Sequence, residues 1–282
     1  MPARPVLVLC EGPHDIAFLT RLLAVACKAA PIESPVAELQ PPFGALFAGR
    51  LAARNANNAT LRGSGPVAPD DPPLLEAVLR MSDNSIHWFF LNCCGDSRAK
   101  QINAFLKLVL SLTTLPDTTK LLDSLGVVFV NDADEKGVAG RQKIIIDNHS
   151  AMLGPLISDF PKLGANTVVR NGKYGVGTCV FAKPGTEEGT LEDIVWKLWK
   201  ADDISRQEQS LALMKSLAIA GTKIGPGSVP SKILKAAMTT AGQTECPGYS
   251  LGVILRETTA LDTEKMKVDT ECKRFVEVLT TV

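Results

Sequence analysis

Two carboxylates one residue apart end an apolar, β-branched segment of the chain. Asp132 and Asp134 follow the run Val127–Val130, and Gly137 then breaks the pattern. A short continuous apolar run is typical of a buried parallel strand, and ligands of open α/β sheets bind beyond the carboxyl ends of such strands. Paired carboxylates at that edge suit a divalent cation, because hard cations prefer oxygen ligands.

Two further segments also place acidic residues next to a predicted strand or helix. The apolar run 6–10 ends at Glu11 and Gly12, and Asp15 begins a helix that apolar periodicity predicts over 14–29. The segment 189–193, Gly-Thr-Leu-Glu-Asp, opens another predicted helix with a threonine in the N-cap position.

If these elements meet at one edge of a sheet, their acids can hold Mg²⁺ or a similar ion, or two such ions about 3.5–4 Å apart. The acids are Glu11, Asp15, Asp132, Asp134, Glu192 and Asp193. Each pair also has a purely structural interpretation. Asp132 and Asp134 could cap the following helix, and Glu192 and Asp193 could interact favourably with their helix dipole.

The acids lie in a chain that alternates strands and helices. Predicted strands at 5–10, 86–93 and 124–131 are followed by predicted helices at 14–29, 97–113 and 136–150. Three such units predict an α/β fold, with a parallel sheet flanked by helices and joined by right-handed crossovers.

The other segments are less regular. Residues 31–83 are rich in proline, glycine and asparagine, which predicts an irregular insertion with a short helix near 74–81. The β-like runs 167–170 and 177–182 could pair as a hairpin or both join the sheet.

Beyond residue 200 we predict helices at 205–220, 229–242 and 262–280, with a short strand near 250–255. The expected organisation is an α/β domain over 1–200 and a mainly helical C-terminal portion, 201–282, packed on it.

Composition narrows the class of protein. Lys plus Arg (30) equals Asp plus Glu (30), so the surface as a whole is not strongly basic. This balance still allows a local basic groove. Seven cysteines without Cys-x-x-Cys spacing predict a reduced cytoplasmic protein without structural zinc. No apolar run approaches the ~20 residues of a membrane helix, so no membrane association is expected.

The order of these motifs resembles the TOPRIM domain, in which one strand ends in Glu-Gly and a later strand in Asp-x-Asp. The Glu-Gly-x-x-Asp pattern of Glu11, Gly12 and Asp15 is similar to OLD-family nucleases (overcoming lysogenization defect) and to their small stand-alone, mostly uncharacterised relatives. The Gly-x-Leu-Glu-Asp element at 189–193 adds to this likeness, which covers roughly residues 5–200. The resemblance implies a TOPRIM-like, Rossmann-like sheet.

The resemblance also implies phosphoryl transfer on DNA or RNA that depends on Mg²⁺ or Mn²⁺, with a nuclease as the leading interpretation. In that case Glu11, Asp132 and Asp134 are the catalytic residues. Glu11 is a metal ligand or general base, and the two aspartates are metal ligands. Asp15 and Glu192 then bind a second ion.

Four residues are candidates for binding phosphate: Gly12, Lys136, Arg141 and Lys173. Lysine serves such a site as a point charge and arginine as a bidentate fork. By contrast, Lys223, Lys232 and Lys235 are interpreted as a solvated basic face.

The chain departs from OLD-family nucleases because it has no Gly-x-x-x-x-Gly-Lys-Ser/Thr loop for ATP. A separate ATPase subunit is therefore a possible partner. The alternative function is a non-catalytic module that uses the acidic pocket to bind a nucleotide–Mg²⁺ complex or a partner protein.

Overall fold

The computed structural model describes residues 3–39, 41–49, 73–95, 98–112, 124–200, 204–217, 231–243 and 247–282. Within these residues a seven-stranded mixed sheet has helices on both faces, and further helices form the C-terminal part. The predicted α/β fold is confirmed.

The strands are β1 (Arg4–Cys10), β2 (Ala30–Pro31), β3 (Leu74–Arg80), β4 (Ile86–Asn92), β5 (Leu125–Asp132), β6 (Val168–Asn171) and β7 (Tyr174–Phe181). The helices are α1 (Pro13–Cys27), α2 (described over 43–49), α3 (Ala99–Leu112), α4 (Gly137–Leu153), α5 (Leu191–Leu198), α6 (Ile204–Leu217), α7 (Ser231–Gly242), α8 (Leu251–Glu257), α9 (Thr263–Val268) and α10 (Thr270–Thr281).

The sheet has the strand order β2-β3-β4-β1-β5-β7-β6. Its centre is parallel, because β1 pairs in parallel with both β4 and β5, and β5 does so with β7. At the two sides β3 and β6 run antiparallel to their neighbours. Both alternatives for the β6–β7 region therefore hold at once: the two strands form a hairpin, and β7 also joins the sheet.

Side chains of the central strands alternate between two cores. In β1, Val6 and Val8 pack into a core with α1, α5 and α7–α10, whereas Leu7 and Leu9 face a core with α2, α3 and α4. Burial on both faces explains why this strand reads as a continuous apolar run. None of the described helices is both long enough and apolar enough to cross a membrane.

The helices that follow the central strands lie on different faces. The helix after β1, α1, covers one face, while α3 and α4, which follow β4 and β5, cover the other. The chain therefore diverges beyond the carboxyl ends of β1 and β5. In open α/β sheets this divergence leaves a crevice in which ligands bind, and the acidic turns after β1 and β5 border it.

Two local predictions were wrong. The segment predicted as a helix near 74–81 is strand β3, because antiparallel pairing with β4 outweighs its helix-compatible composition. The strand predicted near 250–255 is helix α8, whose Leu251, Ile254 and Leu255 recur at helical spacing and pack into the core with α1.

The rest of the C-terminal part matches its helical prediction, except that the helix expected over 262–280 divides into α9 and α10. Asp269 ends the first and caps the second, accepting a hydrogen bond from the Cys272 backbone N at 3.0 Å. Of the predicted insertion 31–83, residues 40 and 50–72 lie outside the described part of the chain.

A backbone bridge joins the turn after β5 to the start of α5. The N–H of Asp134 donates to the Gly189 carbonyl at 2.8 Å, and the N–H of Gly189 donates back at 3.4 Å. Gly189 has a φ of +128°, and a Cβ at this position would lie 2.3 Å from the Lys183 backbone nitrogen. Only glycine fits this approach, which keeps α5 against the end of β5.

We expect Gly189→Ala to lower the free energy of unfolding by about 2–4 kcal/mol, because the backbone must move to relieve the contact. Gly185→Ala is the matched control, since Gly185 also has a positive φ (+79°) but a Cβ there would meet no atom within 4 Å. Its cost should be about 1–2 kcal/mol of left-handed strain alone. Urea unfolding of both variants measures the difference, and equal losses would contradict the close approach.

Candidate functional site

Four acidic side chains border the crevice. Glu11 directly follows β1, Asp15 lies in the first turn of α1, Asp132 ends β5, and Glu192 lies in the first turn of α5. The charges of Glu11, Asp15 and Glu192 all act on Asp132. The structure thus brings together four of the five acids that were predicted to bind metal.

Asp132 has the most strongly perturbed carboxyl group of the four. Burial raises its pKa to about 9, helped by the carboxylates of Asp15, Glu192 and Glu11, and opposed by a hydrogen bond from the Leu191 backbone N–H. That N–H donates to Asp132 Oδ1 at 2.8 Å and so ties β5 to the first residue of α5.

Asp15 is 7% exposed and is also pushed toward its protonated form. Burial raises its pKa to about 7, and Glu11 and Glu192 add to the shift, while the Gly12 N–H and the Lys235 ammonium oppose it. The Gly12 N–H donates to Asp15 Oδ2 at 2.9 Å, so the N3 side chain satisfies the N-cap backbone at the start of α1. Both neighbouring carboxyl groups therefore resist ionisation, chiefly because they are buried and additionally because the nearby carboxylates repel a further negative charge.

Glu11 is held toward the β5 side of the crevice. Asn131 Nδ2 donates to its Oε1 at 2.7 Å, and Arg141 Nη1 lies 3.6 Å from the same oxygen. Asn131 was not predicted as a site residue. Its place just before Asp132 at a strand end was the available signal.

Arg141 acts as a buried clamp in this structure. Its side chain is 1% exposed. Its Nε donates to the backbone oxygen of Asp132 and its Nη2 to Asp134 Oδ2, each at 2.7 Å. The prediction of Arg141 as a phosphate-binding residue is therefore corrected, because its guanidinium is enclosed by protein acceptors.

Asp134 and Asp193 serve mainly structural contacts. Asp134 pairs with Arg141 and has a φ of +49°, a left-handed conformation that aspartate tolerates better than most residues. Asp193 Oδ2 accepts from the Thr190 N–H at 2.9 Å and caps α5. The structural alternative considered for these acids thus applies to Asp134 and Asp193, whereas Asp132 lies within range of the Glu192 charge.

The three other predicted phosphate-binding residues have different positions. Gly12 is extended (φ −155°), and a Cβ there would meet nothing within 4 Å, so neither backbone strain nor packing requires glycine. Lys136 lines a cleft of about 940 Å³ beside Asp134. Lys173 lies at the amino-terminal ends of the parallel strands, opposite the acids. There its carbonyl accepts from the N–H of Leu125, the first residue of β5. Its placement in the site was wrong, because the length of β5 separates them by roughly 20 Å.

Lys235, which the sequence analysis assigned to a solvated basic face, lies beside the acids. It belongs to α7, and its Nζ lies 4.0 Å from Glu192 Oε1. Its charge also lowers the pKa of Asp15 and, together with burial, holds the pKa of His14 at about 4. No local motif marks this lysine, since only the packing of α7 beside α5 brings it to the acids.

The donor chemistry of the crevice fits a hard divalent cation, although the ligand set is incomplete. Across the described residues no three His, Cys, Asp or Glu side chains converge into a metal-binding group. Mg²⁺ commonly needs only one or two carboxylates and takes its remaining ligands from water and substrate phosphate. Asp15 and Asp132 each use one oxygen in a backbone hydrogen bond, which leaves a second oxygen for such a ligand role.

The cleft beside the crevice carries charges of both signs. Lys136, Lys183 and Lys232 line it, together with a larger number of acids: Asp134, Glu135, Glu187, Glu188 and Asp193. The lining residues therefore carry a net negative charge, whereas a groove that binds a polyanion by charge alone is lined mainly by cations.

The raised pKa of Asp132 predicts a pH-dependent stability. The folded protein keeps this proton up to about pH 9, whereas an unfolded chain releases it near pH 4. The contribution of Asp132 to stability is therefore fully present at low pH and is lost as the pH rises through this window. Asp132→Asn keeps the acceptor for Leu191 and removes the titration. Its melting temperature should exceed that of the wild type at pH 8 by several degrees, and the difference should shrink steadily as the pH falls toward 4.

Asp147→Asn is the control, because Asp147 is exposed on α4 and pairs with the equally exposed Lys143. Melting curves from pH 5 to pH 9 for the three proteins measure the effect. Identical pH profiles for Asp132→Asn and the wild type would contradict the raised pKa of the Asp132 carboxyl group.

Comparison with known proteins supports the fold and goes no further. No protein-family model matches the chain, and no curated protein matches it. The crystal structure of hypothetical protein PH0156 from Pyrococcus horikoshii OT3 is similar, with a TM-score of 0.51 and 18% sequence identity. The match covers 98% of this chain and 95% of that chain, so the two proteins share an α/β arrangement over nearly their whole lengths.

Proposed function

We propose that this chain performs divalent-metal-dependent phosphoryl transfer on nucleic acid, as a TOPRIM nuclease of the OLD-like type. One observation carries the proposal. The carboxylates of Glu11, Asp15 and Glu192 converge electrostatically on Asp132, at the switch point of a parallel sheet. Their motif order in the sequence is the order that the resemblance to TOPRIM proteins requires.

Asp15 and Asp132 are the residues that would hold Mg²⁺ or Mn²⁺, with Glu11 and Glu192 completing the acidic wall. A bound divalent cation supplies Lewis-acid stabilisation of the phosphoryl oxygens and lowers the pKa of a water molecule. The raised pKa values of Asp15 and Asp132 support this assignment, because a bound cation would stabilise the ionised carboxylates against both their burial and their mutual repulsion.

The protein side chains have distinct tasks in the proposed reaction. Glu11 accepts a proton from the attacking water as general base, and Asn131 orients its carboxylate. Lys235 faces the acids from α7 and would neutralise a non-bridging phosphate oxygen as a point charge. Arg141 keeps the ends of β1 and β5 together without touching substrate.

The partners in this proposal are DNA or RNA and a separate ATPase subunit. The described cysteines are all free thiols, which fits a cytoplasmic protein.

Nicking of plasmid and single-stranded substrates with Mn²⁺ or Mg²⁺ tests the proposal. Glu11→Gln and Asp132→Asn should each reduce the cleavage rate by about 100-fold or more, since each removes a ligand or proton acceptor while keeping shape. Asp147→Asn, which alters an exposed carboxylate on α4, should cleave like the wild type. Metal-dependent cleavage that survives both site variants would rule out this site assignment.

Lys235 provides an independent test of the same geometry. Lys235→Gln should lower cleavage by about 100-fold, because one charge-stabilising donor is removed from the reacting phosphate. Lys215→Gln changes an exposed lysine on α6 and should have no effect. Circular dichroism melting should show both variants folded. Full activity in Lys235→Gln would assign phosphate stabilisation to another group.

A second candidate function has its own supporting observation. The acidic balance of the 940 Å³ cleft favours a module that binds a nucleotide–Mg²⁺ complex over one that tracks a long polyanion. Calorimetry with Mg²⁺ and nucleotides separates the two functions. Tight nucleotide–Mg²⁺ binding without cleavage would favour the binding module, and failure to bind any divalent cation would contradict both.

A further inference from the structure

A separate cleft of about 520 Å³ lies between α1 and the antiparallel edge of the sheet. Its walls include Ile16 and Ala24 of α1, Val78 and Leu79 of β3, and Leu39 from the segment before α2. Its volume falls within the range of small-molecule sites, which are mostly apolar with a few polar groups that orient the ligand.

Arg21 is the unusual residue of this cleft. It projects from α1, and its Nε is buried without a hydrogen-bond partner. Within the described part of the chain its guanidinium forms neither a hydrogen bond nor an ion pair. An unsatisfied buried donor costs free energy, more so when the group is charged, and so this group calls for an acceptor that the chain does not supply.

The acids that line the same cleft already have partners. Glu257 Oε1 accepts from Arg256 Nε at 2.6 Å, and Glu76 Oε1 accepts from Asn92 Nδ2 at 2.6 Å. Glu76 stands at the irregularity between Leu75 and Ala77 in β3, and strand bulges of this kind re-aim a side chain. Both carboxylates thus have a hydrogen-bond partner, whereas the buried Nε of Arg21 has none among the described residues.

We propose that this cleft binds an aliphatic monocarboxylate. Its carboxylate pairs with the planar fork of Arg21, and its tail lies along the apolar wall formed by Ile16, Ala77 and Leu79. The carboxylates of Glu76 and Glu257 disfavour a dianion, so a single negative charge matches a single guanidinium. No aromatic side chain occurs among the described lining residues, which favours an alkyl tail over a stacked ring.

Titration of octanoate into the full-length protein by isothermal calorimetry tests the proposal, without added metal or nucleic acid. Saturable binding is expected below about 1 mM. Hexanoate should bind about tenfold more weakly, because two methylenes fewer are buried. Octan-1-ol should bind more weakly still, since it lacks the charge. Absence of saturable octanoate binding would overturn the proposal.

Arg21→Gln should weaken octanoate binding at least tenfold, whereas Arg274→Gln, which alters an exposed guanidinium on α10 that pairs with Glu271 away from this cleft, should leave it nearly unchanged. Equal binding by Arg21→Gln and the wild type, or equal losses in both variants, would overturn the assignment.

Methyl NMR of the wild-type protein localises the ligand independently of any variant. Octanoate should shift the methyl signals of Ile16, Ile32 and Leu79, which line the cleft, and not that of Ile145, which belongs to α4 and does not line it. Shifts confined to Ile145 and its neighbours would place the ligand elsewhere and reject the proposal. Because metal binding and cleavage are absent from these assays, their outcome is independent of the nuclease proposal.

Discussion

A charged guanidinium enclosed by protein holds the ends of the two central strands in position. Arg141 contacts the Asp132 carbonyl and the Asp134 carboxylate, and its Nη1 lies 3.6 Å from Glu11. Removing water from an arginine is costly unless its hydrogen bonds are replaced, and loss of one partner in such a buried set is strongly destabilising. The turn after β5, the end of β1 and the start of α4 consequently depend on one another.

This clamp divides the acids of the crevice into two groups. Asp134 and Glu11 have a buried cation beside them, whereas Asp15 and Asp132 have mainly backbone N–H donors and the more distant Lys235. The second group is therefore the one that retains protons in the absence of another positive charge. The asymmetry separates acids that lie beside a buried arginine from buried acids that keep their protons.

Strand patterns in the sequence were sufficient to predict the layered α/β architecture and the proximity of Glu11 to Asp132. Both acids follow buried strands, and parallel strands end at the same edge. The helical interpretation of 74–81 failed because the partner strand, β4, decides the conformation of that segment. Lys173 was misplaced because the sequence of a charged turn does not show at which end of the parallel strands the turn lies. The roles of Arg141 and Lys235 arise from packing between elements distant in sequence, which no local motif encodes.

The position of β1 in the middle of the sheet has a consequence for how the protein folds. This strand occurs first in the chain, yet its neighbours begin at Ile86 and Leu125. Long chain segments must be closed before either pairing can form, and such non-local contacts slow folding. The acidic crevice can therefore form only after more than the first hundred residues have been synthesised. During translation, the N-terminal apolar strand remains without its partners and is a segment for chaperones to protect.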